Sequence, residues 1–258
     1  MYDRTNVKIG LMHVITSIQN YQVKSWRKLH TRKHRKNEKR FLIEGFHLIE
    51  EAVNSGWDIE MVIVREGVDI PSTLVQQNIT FVNTRVFKEI SQTKTPQGIA
   101  AVVKMREFSN KDSKFVLLVD AVQDPGNLGT IIRTADAAGF SHVVLGQGTV
   151  DLYNDKVIRA TQGSIFHISI TQANLSEEIK TLQEKNYTII ASALENATDY
   201  RSVEVEGKAA LIVGNEGTGI QKEMIQVVDK VVKIPIYGEA ESLNVSIAAG
   251  ILMYHMRN

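Results

Sequence analysis

The chain of 258 residues contains no cysteine and only four prolines. Without cysteine there can be no disulfide and no thiolate-ligated metal site, and this composition is compatible with a reducing compartment. Long apolar runs are missing as well: no segment approaches the ~20 residues of a membrane-spanning helix, and the first residues lack a signal-peptide pattern. We therefore expect a protein of the cytoplasm that has no membrane association.

Acidic residues are scarce in one segment of the chain, between positions 24 and 40. The formal net charge is +1, but nine lysines and arginines face a single acid, Glu38, between positions 24 and 40. Such a run can be a solvated helix face, but its density favours phosphate binding, because a basic cluster is the electrostatic footprint of nucleic-acid contact. The candidate RNA-binding residues are Lys24, Arg27, Lys28, Arg32, Lys33, Arg35 and Lys36. His30 and His34 are spaced for a metal, but they lie among cations, and we predict no metal site.

Hydrophobic patterning divides the chain into two α/β parts joined by a polar segment. Before it, the pattern predicts strands at 41–43, 59–64, 79–82 and 98–103 and helices at 45–54 and 84–91. After it, the pattern predicts strands at 115–122, 142–145, 165–170, 187–191, 209–213 and 231–234. It also predicts helices at 127–138, 155–161, 175–185, 219–228 and 243–256. We place a small domain at 14–105, a linker at 106–114 and a doubly wound α/β domain at 115–258.

Three polar clusters follow strands of the second domain, where open α/β sheets bind ligands. In the first, at 127–139, an inward helical stripe places Arg133 on the opposite face. The second, at 213–219, is glycine-rich but matches neither a P-loop nor a dinucleotide fingerprint, so a tight turn alone would also explain it. The third, at 234–251, reads as a strand end, a polar loop and an apolar helix capped by Ser242 or Asn244.

Taken in this order, the clusters resemble the motifs of the SpoU/TrmH family of S-adenosylmethionine-dependent RNA ribose 2′-O-methyltransferases. The matching residues are Asn127-x-Gly129-x3-Arg133-Thr-Ala, Gly214-Asn-Glu216-Gly-x-Gly219 and Ile234-Pro235-x2-Gly238-x3-Ser242-Leu-Asn244-Val-Ser246. The segment Arg40-Phe-Leu-Ile-Glu-Gly45 and the helix after it resemble the family's small substrate-binding domain, which has a fold like ribosomal protein L30. The resemblance covers about residues 14 to 258.

This resemblance implies a trefoil-knotted, mostly parallel α/β domain that acts as a homodimer with S-adenosylmethionine as cofactor and RNA as substrate. It places catalytic groups at Asn127, Arg133, Glu216, Ser242 and Asn244. It places the cofactor against Ala193, Gly214, Asn215, Ile234, Gly238 and Leu243.

The identity of the group that handles the ribose proton stays open. Family models assign it to Arg133, but a guanidinium remains protonated at neutral pH and is better suited to binding a phosphate or stabilising an alkoxide. Glu216 is then the alternative base. The two-domain layout favours ribosomal RNA as substrate. A transfer-RNA enzyme of the same family, a non-catalytic RNA-binding or ribosome-assembly factor, and a generic nucleotide-binding enzyme are the alternatives.

Overall fold

The computed structural model describes residues 13–108 and 113–257. Its strands are β1 Val14–Ile15, β2 Arg40–Glu44, β3 Ile59–Arg65, β4 Ile79–Val82, β5 Ile99–Lys104, β6 Phe115–Val119, β7 His142–Leu145, β8 Ser169–Gln172, β9 Tyr187–Ser192, β10 Thr198–Asp199, β11 Lys208–Val213 and β12 Lys230–Lys233. Its helices are α1 Tyr21–Lys28, α2 Arg32–Glu38, α3 Phe46–Asn54, α4 Thr84–Ile90, α5 Pro125–Ala137, α6 Asp155–Thr161, α7 Leu175–Glu184, α8 Lys222–Ile225 and α9 Val245–His255. In the described ranges no helix is both long enough and apolar enough to cross a bilayer.

These elements form two compact units. Of the described residues, unit 1 contains 13–106 and 153–166, and unit 2 contains 107–108, 113–152 and 167–257. The pattern predicts a linker at 106–114, of which 109–112 lie outside the described residues, and it gives no sign that α6 belongs to unit 1.

Aromatic packing explains why the segment 153–166 belongs to unit 1. The ring of Tyr153 lies 4.5 Å from that of Phe41, and the ring of Phe166 lies 5.3 Å from Trp57. The buried indole N–H of Trp57 donates a hydrogen bond of 3.1 Å to the Phe166 carbonyl. These contacts join residues more than 100 positions apart, so no local pattern could reveal them.

Unit 1 is built on a mixed five-stranded sheet in the order β1-β4-β3-β5-β2. Strand β5 is antiparallel to β2 and β3, and the other pairs are parallel. On one side, buried Val23 and Trp26 of α1 pack with Phe87 of α4 and with sheet residues such as Ile63 and Val102. The basic segment therefore forms two short helices, and the apolar side chains of α1 attach it to the core.

Unit 2 is a parallel seven-stranded sheet in the order β10-β12-β9-β11-β6-β7-β8. Strand β11 lies between β9 and β6, and β12 lies between β10 and β9, so the two latest strands enter between strands that precede them. The predicted mostly parallel α/β class is confirmed. The trefoil threading of the last segment stays a prediction.

Several predicted elements of unit 2 differ from the structure. The expected strand at 165–170 is a 3-10 turn at Ser164–Phe166 followed by β8, and the expected helix at 219–228 shrinks to α8. Strand β10 has only two residues, too few to show a period. Helix α9 is capped by Asn244, whose side-chain oxygen accepts from the backbone N–H of Ser246 at 2.8 Å.

The parallel arrangement decides where the polar clusters meet. All strands of this sheet end at the same edge, so the segments that follow β6, β11, β9 and β12 emerge side by side. These segments contain the first cluster, the second cluster, Ala193 and the third cluster, in that spatial order. Topology therefore brings the polar clusters together at the edge where open α/β sheets bind ligands.

Candidate functional site

Helix α5 presents the first polar cluster at its amino end. Asp124 caps the helix by accepting from the backbone N–H of Asn127 at 2.8 Å, and Pro125 occupies the first turn, where no N–H is required. The apolar face of α5 is buried, whereas Arg133 on the opposite face is exposed, as the helical spacing predicted. The buried residues are Leu128, Ile131, Ile132, Ala135 and Ala138.

The carboxylate of Glu216 links the second cluster to the first. Its Oε1 accepts from the side-chain amide of Asn127 at 3.0 Å and from the backbone N–H of Asp124 at 3.1 Å. Its Oε2 accepts from the backbone N–H of Gln123 at 3.2 Å. Both oxygens are thus engaged at the entrance to α5, where a helix amino terminus favours negative charge.

Asn127 is also hydrogen-bonded to the third cluster. Its side-chain oxygen accepts from Asn244 Nδ2 at 2.9 Å, while the Asn244 side-chain oxygen accepts from the hydroxyl of Ser246 at 2.6 Å. The hydrogen bonds Glu216–Asn127–Asn244 therefore form one chain, which we call the motif bridge. It joins three segments that lie far apart in sequence.

These contacts set the protonation state of Glu216. Burial by itself would raise the pKa of this carboxyl, but hydrogen bonds from the Asn127 amide and from the backbone N–H groups of Glu216, Gln123 and Asp124 outweigh it. The pKa of Glu216 therefore lies below its ordinary value. A carboxylate with a lowered pKa is a weak proton acceptor at neutral pH.

Gly214 is required by the way the second cluster turns. A Cβ at this position would lie 2.3 Å from the backbone carbon of Gly219, closer than atoms can approach. Within the turn, Asn215 Oδ1 accepts from the backbone N–H of Gly217 and Thr218 at 2.8 and 3.1 Å, and Asn215 also bridges backbone to backbone with Gly219. The glycine keeps this turn folded tightly onto itself at the end of β11.

The expected cofactor residues lie at three neighbouring strand ends. Ala193 follows β9, Gly214 and Asn215 follow β11, and Ile234, Gly238 and Leu243 belong to the loop after β12. Leu243 is 36% exposed although apolar, and nothing lies within 4 Å of a Cβ built on Gly238. Exposed apolar side chains beside open backbone fit a nucleoside-type ligand.

Two expected catalytic groups lie outside the motif bridge. Arg133 and Ser242 are both exposed. Ser242 does not cap α9, because Asn244 does so. The structure thus joins Glu216 and Asn244 through Asn127. It gives no such contact for Arg133 and Ser242, and the catalytic roles of all five residues stay predictions.

The basic helices of unit 1 need one correction. Arg35 is only 5% exposed, and its Nη1 donates 2.7 Å to the carbonyl of Leu29, which follows α1. Arg35 therefore supports the packing of the two helices and is not available to RNA. Trp26 is likewise a core residue. The exposed members of the predicted set are Lys24, Arg27, Lys28, Arg32, Lys33 and Lys36.

Sequence reasoning missed one exposed aromatic residue in this region. Tyr21, at the start of α1, is 78% exposed, and the spacing i, i+3, i+7 puts it on the same helix face as Lys24 and Lys28. The spacing of Tyr21 and the two lysines could be read from the sequence. Only the burial of Val23 and Trp26 shows which face of α1 is exposed. Among the described residues no cluster of metal-ligating side chains occurs.

Residues 114–254 match the model of the SpoU rRNA Methylase family, and residues 20–101 match the MRM3-like substrate binding domain. The chain is 45% identical to the 23S rRNA (guanosine(2553)-2′-O)-methyltransferase RlmP of Bacillus subtilis, over 95% of this chain and 100% of that protein.

Two further matches have lower sequence identity. A putative TrmH family tRNA/rRNA methyltransferase of Staphylococcus haemolyticus is 31% identical over 83% of this chain and 94% of that protein. The crystal structure of an AdoMet-bound rRNA methyltransferase from Sinorhizobium meliloti superposes with a TM-score of 0.86 and 31% identity, covering 96% of this chain and 98% of the other.

The motif bridge predicts the effect of Glu216→Gln. The substituted amide keeps only one acceptor oxygen for the three N–H donors, and its NH2 group opposes at least one of them. We expect the turnover number for methyl transfer to fall about tenfold or more, because Asn127 loses its fixed orientation. The measurement is steady-state kinetics, with the exposed Glu223→Gln as the matched control. Unchanged turnover in Glu216→Gln would contradict the proposed importance of the bridge.

Proposed function

The chain belongs to the SpoU rRNA methylase family, and we propose that its substrate is a ribose 2′-hydroxyl of 23S ribosomal RNA. It is an S-adenosylmethionine-dependent RNA ribose 2′-O-methyltransferase. The observation that carries the proposal is the motif bridge, because it assembles Asn127, Glu216 and Asn244 at the edge of the sheet where the candidate cofactor residues also lie. A non-catalytic factor would have no need of this arrangement.

Two findings support ribosomal over transfer RNA. The relative at 45% identity is matched along its whole length and carries a 23S rRNA activity in its name. Unit 1 also contains a match to a substrate-binding domain and exposes six of the seven basic residues predicted to bind RNA. A cytoplasmic location remains part of this proposal.

Methyl transfer requires alignment and the management of one proton. S-adenosylmethionine supplies the electrophilic methyl group. The protein must therefore align a ribose oxygen with that group and stabilise the negative charge that develops on the oxygen. Ile234, Leu243 and the turn at Gly214 would hold the cofactor. Asn127 and Asn244 are fixed by the motif bridge, and they orient the cluster beside which the ribose would bind.

We assign Arg133 to charge stabilisation. Glu216 is a poor base because its pKa is lowered and both of its oxygens already accept hydrogen bonds. Arg133 is exposed, stays protonated at neutral pH and presents several donors to a phosphate or an alkoxide. In this proposal the 2′-hydroxyl proton leaves to solvent water as the methyl group is transferred. Glu216 orients Asn127, and Arg133 stabilises the negative charge on the substrate.

Transfer of tritiated methyl groups to total RNA tests the proposal. We expect the label in the 23S ribosomal fraction, on a ribose 2′-oxygen located by mapping the modified nucleotide. Arg133→Ala should abolish transfer, while calorimetry should still show cofactor binding, since the residue lies on the exposed face of α5. Arg133→Lys serves as the control that retains charge but loses the planar fork. Label confined to transfer RNA, or normal turnover in Arg133→Ala, would contradict the respective assignments.

The apolar surface of α9 supports the expected homodimer. Ile247 and Tyr254 are 54% and 53% exposed, and their spacing of seven places them on one face of the helix, near partly exposed Leu243. A second copy of the chain is a natural cover for such a face, because closed two-fold dimers bury the same surface on both subunits.

Light scattering coupled to size exclusion measures this association. We expect the wild-type chain to elute with the mass of a dimer and Ile247→Asp to shift towards the monomer, because a carboxylate is costly to bury without a partner. Val75→Asp, which alters an exposed apolar residue of unit 1, should leave the dimer intact. A monomeric wild-type chain at micromolar concentration would rule out the proposal.

Salt dependence distinguishes two kinds of RNA contact on α1. Lys24→Gln with Lys28→Gln should weaken binding and lower the slope of log affinity against log salt by about one for each lysine, because each phosphate contact releases counterions. Tyr21→Ala should weaken binding with the slope unchanged, since base stacking is not ionic. Exposed Lys180→Gln in unit 2 is the control. An unaltered slope in the double lysine variant would make α1 an ordinary solvated surface.

A further inference from the structure

Asp120 is a buried carboxylate that the chemistry described above does not use. It directly follows β6 and is only 1% exposed. Its Oδ2 accepts from the backbone N–H of Gln221 at 2.9 Å, and its Oδ1 accepts from the side-chain amide of Gln221 at 2.7 Å. Both oxygens are therefore engaged by one residue that lies 101 positions later in the chain.

This contact belongs to a series that joins two loops. Next to Asp120, the carbonyl of Ala121 accepts from Asn215 Nδ2 at 2.8 Å, and Glu216 follows with its bonds to the backbone of Gln123 and Asp124. The segment after β6 is thus connected to the segment after β11 at three successive levels. Glu216 provides one of these levels, and in the sequence it lies between Asn215 and Gln221, which provide the other two.

The backbone at Ala121 shows that this arrangement is imposed by its surroundings. Its φ of 54° is in the left-handed region, which residues other than glycine seldom adopt and which costs free energy. Such a conformation persists only where neighbouring contacts outweigh its cost. The hydrogen bonds of Asp120 and of the Ala121 carbonyl, on either side of this φ, provide those contacts.

We propose that Asp120 and Gln221 are positioning residues that hold Glu216, and through it Asn127, in the geometry required for methyl transfer. The inference rests on the proposed function for its kinetic consequences. Asn215 fixes the start of the turn and Gln221 fixes its end, so Glu216 lies in a loop held at both ends. Without the second anchor, the turn is held to the segment after β6 only through Asn215 and the hydrogen bonds of Glu216 itself.

The chemistry of the pair allows an exchange of donor and acceptor. In Asp120→Asn the new amide group opposes one of the two N–H donors of Gln221, and in Gln221→Glu two carboxylates face each other. In the double variant Asp120→Asn/Gln221→Glu, the amide at position 120 can donate to the carboxylate at 221 and still accept from its backbone N–H. The number of side-chain atoms and the net charge of the pair are unchanged in that double variant.

Steady-state kinetics of the two single variants and the exchange variant test the proposal. We expect each single substitution to lower the turnover number about tenfold, with the KM for RNA unchanged, because a small displacement of reacting groups is costly for catalysis. The exchange variant should recover most of the lost activity. Thermal unfolding of all three variants shows that they are folded, and a role confined to stability would change the melting temperature without this kinetic pattern.

A second measurement does not depend on methyl transfer. In ¹⁵N-resolved NMR spectra, the side-chain amide resonance of Asn127 reports on its hydrogen bond to Glu216. It should shift in both single variants and return towards the wild-type position in the exchange variant. If the wild-type chain methylates no RNA, the proposed function fails while this spectrum still decides the positioning role. Unshifted resonances, unchanged turnover numbers in the single variants, or an exchange variant no better than either of them would overturn the inference.

Discussion

The structure of the site depends on one carboxylate, that of Glu216, whose two oxygens accept three hydrogen bonds. Glu216 draws together the backbone before α5 and the side chain of Asn127, and Asn127 in turn binds Asn244 at the start of α9. Each of these residues follows a different strand of one parallel sheet. Topology brings the strand ends to one edge, and the charge of Glu216 determines how the three segments fit together there.

This constraint separates two roles that the resemblance left open. A general base must have a free lone pair and a pKa close to the working pH. The donors around Glu216 lower its pKa, and we therefore propose that it organises the site. In the same proposal Arg133, which is exposed, interacts with the substrate. Asp120 does not take part in the chemistry, but its buried oxygens bind Gln221 at the far end of the loop that contains Glu216.

Much of this could be predicted from the sequence, and the failures have physical causes. Helix α5 could be predicted because its apolar residues repeat with the helical period. The buried strands of unit 2 could be predicted from their apolar runs. The burial of Arg35 could not be predicted, because nothing in a run of basic residues indicates which guanidinium binds a backbone carbonyl. The attachment of α6 to unit 1 depends on aromatic contacts across more than 100 residues. No sequence pattern indicated the contact of Asp120, because its partner Gln221 lies 101 positions away.

The most direct test of this account is the ionisation of the Glu216 carboxyl itself. Carbon-13 NMR of the side-chain carboxyl, assigned by comparison with Glu216→Gln, follows its protonation as pH is lowered. Because the folded pKa is lowered, its contribution to stability is present above the ordinary glutamate value and is lost as pH falls through the folded one. The account predicts that the resonance stays that of a carboxylate from neutral pH down past the ordinary pKa of about 4.3. A titration midpoint near neutral pH would identify Glu216 as a proton acceptor and contradict the account.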